Sequence, residues 1–427
     1  MINNTIEKLR FKDDNGNDYP EWEEKKLEDF ILDFIVPMRD KPKELTGDIP
    51  WCRIEDFEGK YLSKSKSNQG VSLDTVKKMN LKVYPVNTLL VSCSANLGFC
   101  AIVKKELITN QTFIGLFPDL KKISVDFLFH IMKLSSKRLN ILSSGTTISY
   151  LSRKQFEQFK IPYPCLEEQT KIANFLSSVD EKTEKLEQEV QQLKEYKKGV
   201  MQQLFNPEEL NINGGGAKHL TANELREFIR FKDDNGDEYP NWEVKTLGEI
   251  SSKPKYGLNS SSKEYDGVNG YIRITDIDEQ SRCFLKDKIT SPDGFDDSYL
   301  LSPNDLLFTR TGASTGKTYI YNENDGKLYF AGFLIKFNIK KANSKFIFYQ
   351  TLLSEYDKWV KTMSMRSGQP GINAEEYSSL PLFLPCLEEQ IKIANFLSDI
   401  DEKINQVVVQ FETTKEFKKG VMQQMFV

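Results

Sequence analysis

The chain has 427 residues, more than one ordinary hydrophobic core, so two or more domains are expected. With 39% hydrophobic and 28% charged residues it reads as a soluble globular protein, and no stretch approaches the ~18 apolar residues of a membrane span. Two histidines and six scattered cysteines without a C-x-x-C pair argue against a metal site and for a reducing cytoplasm, while a net charge of −4 argues at first sight against nucleic acid.

The N-terminus, Met1-Ile-Asn-Asn-Thr-Ile-Glu7, lacks the basic and apolar regions of a signal peptide. Leu9-Arg-Phe-Lys-Asp-Asp-Asn-Gly16 follows, with Asn15-Gly16 and Tyr19-Pro20 marking tight turns and Trp22 expected to anchor the segment on a core. The charge then changes sign. Residues 1–33 carry 5 Lys and Arg against 10 Asp and Glu, whereas residues 34–160 carry 20 against 11. The overall charge therefore hides a basic globular body. Short apolar runs between turn signals read as strands there: Trp51-Cys-Arg-Ile-Glu-Asp56, Leu89-Leu-Val-Ser-Cys93 and Phe99–Val103. Val125–Leu142 reads as a helix leading to a Gly loop at Ser143–Thr147.

From 165 to 205 the pattern changes to a long helix. Ile172, Leu176, Val179, Thr183, Leu186, Val190, Leu193, Lys197, Val200 and Leu204 follow a 4,3,4,3 spacing, the heptad period of helices that pack along a narrow stripe. Pro164 stands just before it, Glu167 and Glu168 suit the positive end of its dipole, and Asn206-Pro207 stops it. About 40 residues give a rod of roughly 60 Å. Residues 206–228 contain Gly214-Gly-Gly216 and read as a flexible connector.

The second half repeats the first. Ile229–Trp242 repeats Leu9–Trp22, Tyr271-Ile-Arg-Ile-Thr-Asp276 repeats Trp51–Asp56, and Leu306-Leu-Phe-Thr-Arg310 repeats Leu89–Cys93. Lys345–Met363 reads as a helix leading to a Gly loop at Arg366–Pro370. Cys386-Leu-Glu-Glu-Gln390, Lys392–Ser398 and Lys418-Lys-Gly-Val-Met-Gln-Gln424 copy Cys165–Gln169, Lys171–Ser177 and Lys197–Gln203 at an offset of 221 residues, and the second seam keeps the same phase from Ile393 to Met425. The expected fold class is α+β: two globular domains, 1–164 and 229–385, separated by two long antiparallel coiled-coil helices, 165–205 and 386–427, with a pseudo-two-fold internal repeat. Two other arrangements fit the seams: helices that pack on separate cores, or a homodimeric coiled coil. Two in-phase seams in one chain more simply pack on each other.

No catalytic grouping stands out. Gly312-Ala-Ser-Thr-Gly316-Lys-Thr318 looks like a phosphate loop, but it has three residues between the glycines where four are needed, and a strand-like run follows. His130 reads as packed or helix-surface. For reading bases the candidates are Arg53, Arg153 and Lys154 in the first domain and Arg273, Arg310, Arg366 and Gln369 in the second; Arg suits guanine and Gln adenine. Asp56 and Asp276 could instead pair with Arg53 and Arg273. Lys60, Lys64, Lys66, Lys77, Lys78 and Lys82 suit phosphates, as does Lys317 in the Gly312–Thr318 loop. Lys197 and Lys418 fall on the seam, where a buried ammonium needs a partner. With Lys198 and Lys419 they mark a contact with the other helix's acidic start or with a partner subunit.

Two divergent domains, each followed by a near-identical long helix, resemble the DNA-specificity subunit of type I restriction–modification enzymes. The segments Pro162–Ser177 and Pro385–Ser398 are similar to the start of that family's spacer helix, and the elements at Trp51–Asp56 and Ser367–Pro370 look like features of its target-recognition domains. The resemblance implies a subunit without catalysis of its own. Each domain would read half of a split double-stranded DNA site, and the helices would set the spacing and hold two methyltransferase subunits. Motor–nuclease subunits would join for restriction, and S-adenosylmethionine, ATP and Mg would belong to the partners. The competing reading is a coiled-coil adaptor whose two domains bind protein.

Overall fold

The computed structural model describes residues 9–37, 41–94, 97–143, 150–205, 230–365 and 370–426. The connector 206–228, the loop residues Arg366 and Gln369, and most of the Ser143–Thr147 loop lie outside them. The chain divides into two compact units, Met1–Gln188 with Val409–Val427, and Glu189–Val408. The boundaries cut both long helices, Leu166–Leu204 and Leu387–Phe426, so each unit owns the start of one and the end of the other.

In the first unit a five-stranded sheet runs in the order Ile31–Ile35, Phe113–Pro118, Leu89–Ser92, Cys100–Val103, Tyr61–Leu62. Its pairs are antiparallel except the last, which is parallel. Leu89–Ser92 is buried along its length, as a central strand of β-branched and aliphatic residues should be. A three-stranded sheet places Ile49–Cys52 between Gly70–Val71 and Ile108–Thr109. Glu23–Lys26 pairs antiparallel with Lys160–Tyr163, so the strand that opens the body lies beside the strand that leads into the long helix.

The second unit repeats this frame. Asp305–Thr309 sits between Leu334–Asn338 and Thr318–Ile320 in a four-stranded antiparallel sheet edged by Lys255–Tyr256. Asn269–Ile272 pairs in parallel with Lys327–Phe330, and Glu243–Thr246 closes antiparallel on Pro381–Leu384.

Each expected body helix is in fact two. Val125–Leu134 stops at Ser135 before Ser136–Ser143, and Ser344–Gln350 stops before Ser354–Ser364. Local side-chain bonding explains the second break: the Thr351 hydroxyl bonds the Phe348 carbonyl at 2.7 Å and meets Thr318 Oγ1 at 2.8 Å, which competes with continuing the helix.

The long helices enter these cores. Ile172, Ala173 and Leu176 join the main core of the first unit together with Val421 and Met425. Val200, Met201 and Leu204 join that of the second with Ile393, Ala394, Leu397 and Ile400. Each fully buried aliphatic side chain contributes about 1.5–3 kcal/mol, so docking the helices is a large share of each unit's stability.

Candidate nucleic-acid interface and helix contacts

The repeated Leu-Glu-Glu-Gln motif at the helix starts works as a pin. Glu168 is fully buried and accepts from Arg10 Nη2 at 2.8 Å and from Trp22 Nε1 at 2.8 Å. Glu389 is equally buried and accepts from Arg230 Nε at 3.2 Å. Burial lifts the Glu389 carboxyl above the usual glutamate range, against the pull of Arg230. Gln169 donates to the Pro164 carbonyl at 2.9 Å and accepts from Ser124 N at 3.0 Å; Gln390 does the same with Pro385 at 2.8 Å and Asn343 at 2.9 Å. One glutamate thus fixes the leading segment, and one glutamine fixes the start of the first body helix, in each unit. Trp22 packs on Phe426 and Trp242 on Phe205 and Phe346, which supports the anchoring expected of both.

A second recurrent cluster lies about three turns further along each helix. In the second unit Lys197 reaches Asp401 at 2.6 Å, and Tyr349 donates to Asp401 at 2.8 Å. In the first, Lys418 pairs with Asp180, the repeat equivalent of Asp401. Burial pulls the Lys418 ammonium below the ordinary lysine value in spite of Asp180. His130 takes the place of Tyr349, with Nε2 3.3 Å from Ser177 Oγ. Burial, then the charges of Lys60, Lys418 and Lys133, push His130 down to about 3. The imidazole is therefore neutral, and its 3.8 Å approach to Asp180 is not an ion pair.

Several candidates for DNA contact are committed inside the chain. Lys317 is 7% exposed, with Nζ 3.1 Å from the Ile277 carbonyl and 2.7 Å from Glu279, so it does not reach out of the Gly312–Thr318 loop. That loop is a 3-10 turn at Gly312–Ser314 running into the strand Thr318–Ile320. Lys60 donates to Ser177 Oγ at 2.7 Å and pairs with Asp126, joining the first body to its helix. Arg273 grips Asp276 at 2.7 and 2.9 Å, an ion pair that raises its pKa. Arg53 donates to Gln69 at 3.1 Å, while Asp56 accepts from the Arg53 backbone at 2.7 Å. Arg153 bonds Glu157 at 2.8 Å and the Phe34 carbonyl at 3.1 Å. Lys197 and Lys418 make the first of the two contacts expected of them, pairing with Asp401 and Asp180 of the other long helix.

Of the candidate cations, Lys64, Lys66, Lys77, Lys78, Lys82, Arg153 and Lys154 on the first unit, and Lys198 and Lys419 on the helices, are exposed. Lys198 lines an open groove with Lys194, Met201, Leu352 and Glu355. Arg310 stands apart: its guanidinium lies over Tyr256 at 5.2 Å and Phe333 at 5.9 Å. Sequence reasoning missed both rings, because which aromatic lies beside an arginine depends on the register of distant strands. Among the described residues no group of His, Cys, Asp and Glu could hold a metal, and no helix is long and apolar enough to cross a membrane.

Comparison with known proteins agrees with this duplicated frame. The family described as the type I restriction modification DNA specificity domain matches twice, at residues 19–195 and 239–409. The MjaVIII specificity subunit of Methanocaldococcus jannaschii is 28% identical over 432 residues, covering 96% of this chain and 94% of that one. The MjaIX specificity subunit of the same organism is 30% identical over 265 residues, 61% of this chain and 58% of that relative, which is less than two thirds of its length. The crystal structure of a type I restriction-modification S subunit from M. genitalium shares the fold, with a TM-score of 0.61, 15% identity and 98% of each chain covered. The chain belongs to the type I restriction modification DNA specificity family, whose domain it carries in two copies.

Proposed function

We propose that this chain is the DNA-specificity subunit of a type I restriction–modification complex and has no catalytic chemistry of its own. One observation supports this best: the family domain occurs twice, on frames whose Glu168/Glu389 and Gln169/Gln390 pins recur while the bodies above them differ. Each body reads one half of a bipartite site in double-stranded DNA. Exposed lysines such as Lys64, Lys66 and Lys154 meet phosphates and add affinity without sequence choice. Arg53, Arg153 and Arg310, with Arg366 and Gln369 of the 366–369 loop, are the candidates for base contact.

The two long helices run antiparallel as a coiled coil, relate the halves by a pseudo-two-fold and fix the distance between half-sites. Their near-identical sequences offer equivalent surfaces, with Lys198 and Lys419 on them, to two methyltransferase subunits. Motor–nuclease subunits join for restriction. The partners carry S-adenosylmethionine, ATP and Mg, and the complex works in the cytoplasm.

Methylation mapping by single-molecule sequencing of a host expressing this chain with its methyltransferase tests the reading. A split motif with two unlike halves and a constant gap is the expected result. DNA binding by that complex should also weaken steeply with added salt. A complex that methylates a continuous motif, or that ignores DNA at every salt concentration, contradicts the reading and favours the protein-binding adaptor.

A further inference from the structure

One end of the four-stranded sheet in the second unit carries an arginine that, among the described residues, has no carboxylate partner. Arg310 follows the strand Asp305–Thr309. Its backbone is fixed on both sides: Arg310 N donates to the Phe333 carbonyl at 3.1 Å, and Ile372 N donates to the Arg310 carbonyl at 2.9 Å. The guanidinium lies near two rings, Tyr256 at 5.2 Å and Phe333 at 5.9 Å from its carbon to the ring centroids. Both are partly open to solvent, Phe333 at 55% and Tyr256 at 41% exposure. The Tyr256 ring is itself tethered, because its hydroxyl accepts from Ala374 N at 3.1 Å. Arg310 Nε is buried without a hydrogen-bond partner, and among the described residues no carboxylate pairs with the guanidinium.

The other arginines of this kind are occupied. Arg273 is spent on Asp276 and Arg153 on Glu157. Attraction to two ring faces helps to hold a guanidinium in place without using its terminal N–H groups. Such a group is prepared for two acceptors in one plane.

The first unit has the same backbone at this place and different chemistry. Cys93 N donates to the Thr112 carbonyl at 2.9 Å, and Leu151 N donates to the Cys93 carbonyl at 2.9 Å. The bridge Ser94–Tyr150 matches Thr311–Gly371. In this register Gly115 matches Lys336, so Ile35 holds the place of Lys255 and the next residue, Val36, holds that of Tyr256. Arg310, Phe333 and Tyr256 are thus replaced by Cys93, Thr112 and Val36. A shared frame with a cation beside two rings on one unit and none on the other is what two readers of unlike half-sites require.

We infer that Arg310, beside Tyr256 and Phe333, is a base-reading residue of the second unit, and that it takes the O6 and N7 acceptors of a guanine in the half-site this unit recognises. The assignment rests on the proposed function and sharpens it: guanine offers two acceptors in the major groove to one planar donor, and losing that contact removes a base preference at one position, whereas losing a phosphate contact weakens binding to every sequence alike. Base preference, read position by position, therefore separates the two ligands.

The test uses the full chain co-expressed with its methyltransferase subunit. Variants R310Q and R310K are compared with the parent by single-molecule methylation mapping of host DNA and by selection from a duplex library randomised in both half-sites. Assembly is checked by size exclusion. Both variants are expected to lose, by roughly tenfold or more, the preference for guanine at one position. The loss falls in the half-site that changes when residues 229–385 are exchanged, and the other half-site keeps its full preference. R310K retains the stem and the charge over the rings, so it carries the test if the glutamine variant does not fold. Undiminished guanine preference in R310K, or an equal weakening for every base at every position, overturns the assignment and leaves a phosphate contact. A parent complex without any split motif would instead sink the functional reading.

Discussion

The ammonium of Lys197 meets the carboxylate of Asp401 at 2.6 Å, and the repeat of each residue makes the reciprocal pair, Lys418 with Asp180. Within each unit the end of one long helix is tied by charge to the start of the other. The side chains are part-buried, with Lys197 at 16% and Asp401 at 41% exposure, so the pair is screened only in part. Lys197→Met is expected to cost about 1 kcal/mol, towards the upper end for partly exposed pairs. Lys197→Glu should cost more by repulsion, and adding Asp401→Lys should recover over half of that loss. Thermal denaturation of the four members of the cycle measures it. Reversal at both Lys197 and Lys418 should also weaken co-purification with the methyltransferase if, as proposed, it docks on the helices that these pairs align.

Glu168 carries a heavier load. It is fully buried between Arg10 and Trp22 Nε1. Glu168→Ala leaves a cation and an indole N–H without their acceptor, and a loss of about 3 kcal/mol is expected. Glu168→Gln keeps one acceptor and should lose less. Urea unfolding followed by tryptophan fluorescence would register both, with the midpoints in the order parent, Gln, Ala.

His130 gives the first unit an acid sensitivity. Its folded pKa is depressed to about 3 by burial and by Lys60, Lys418 and Lys133, from an ordinary value of 6.5. The unfolded chain therefore binds a proton below 6.5 that the folded chain refuses. Stability from this group is fully present above about pH 6.5 and falls as the pH drops towards 3, by at most about 1.4 kcal/mol per pH unit. His130→Tyr installs the residue the second unit uses at this position. Its stability should fall less than the parent's between pH 6.5 and 5, as read by urea midpoints at each pH.

The Gly312–Thr318 loop is structural. Gly316 has φ +90°, and a Cβ there would lie 2.5 Å from Val360 Cγ1. Tyr356 also donates to the Gly316 carbonyl at 2.8 Å. Gly316→Ala should cost about 1–3 kcal/mol. MgATP should leave the Tm of the parent chain unchanged, whereas a nucleotide-binding loop would raise it.

Helix length should set the gap in the DNA site. Removing one heptad from each long helix keeps the seams in phase and shortens each by about 10 Å. At 3.4 Å per base pair the gap should shrink by about three base pairs while both half-sites persist. Methylation mapping reads this directly.

Much of the frame was legible because it is written twice. The seams, the positions of Trp22 and Trp242, and the paired strands Leu89–Ser92 and Asp305–Thr309 could be read from repetition and periodicity alone. The pin of Glu168 on Arg10 was also within reach, since both residues recur in otherwise diverging halves. Only the acidity of Glu167 and Glu168 at a helix start was read, although burial makes Glu168 an anchor first. Charge did not reveal which cations are free. Lys60 and Lys317 look like surface lysines in sequence, yet Asp126 and Glu279 are brought to them by chain segments tens of residues away. The breaks at Ser135 and Thr351 escaped because apolar periodicity continues across both, and a threonine hydroxyl bonded to its own turn leaves no trace in that pattern.

The central claim is that two unlike readers sit on one repeated frame. Exchanging residues 34–160 for the corresponding body of another family member, in the full chain with its methyltransferase, tests it most directly by methylation mapping. One half of the recognised sequence should change, with the other half and the gap preserved. A change in both halves, or in neither, would contradict the account.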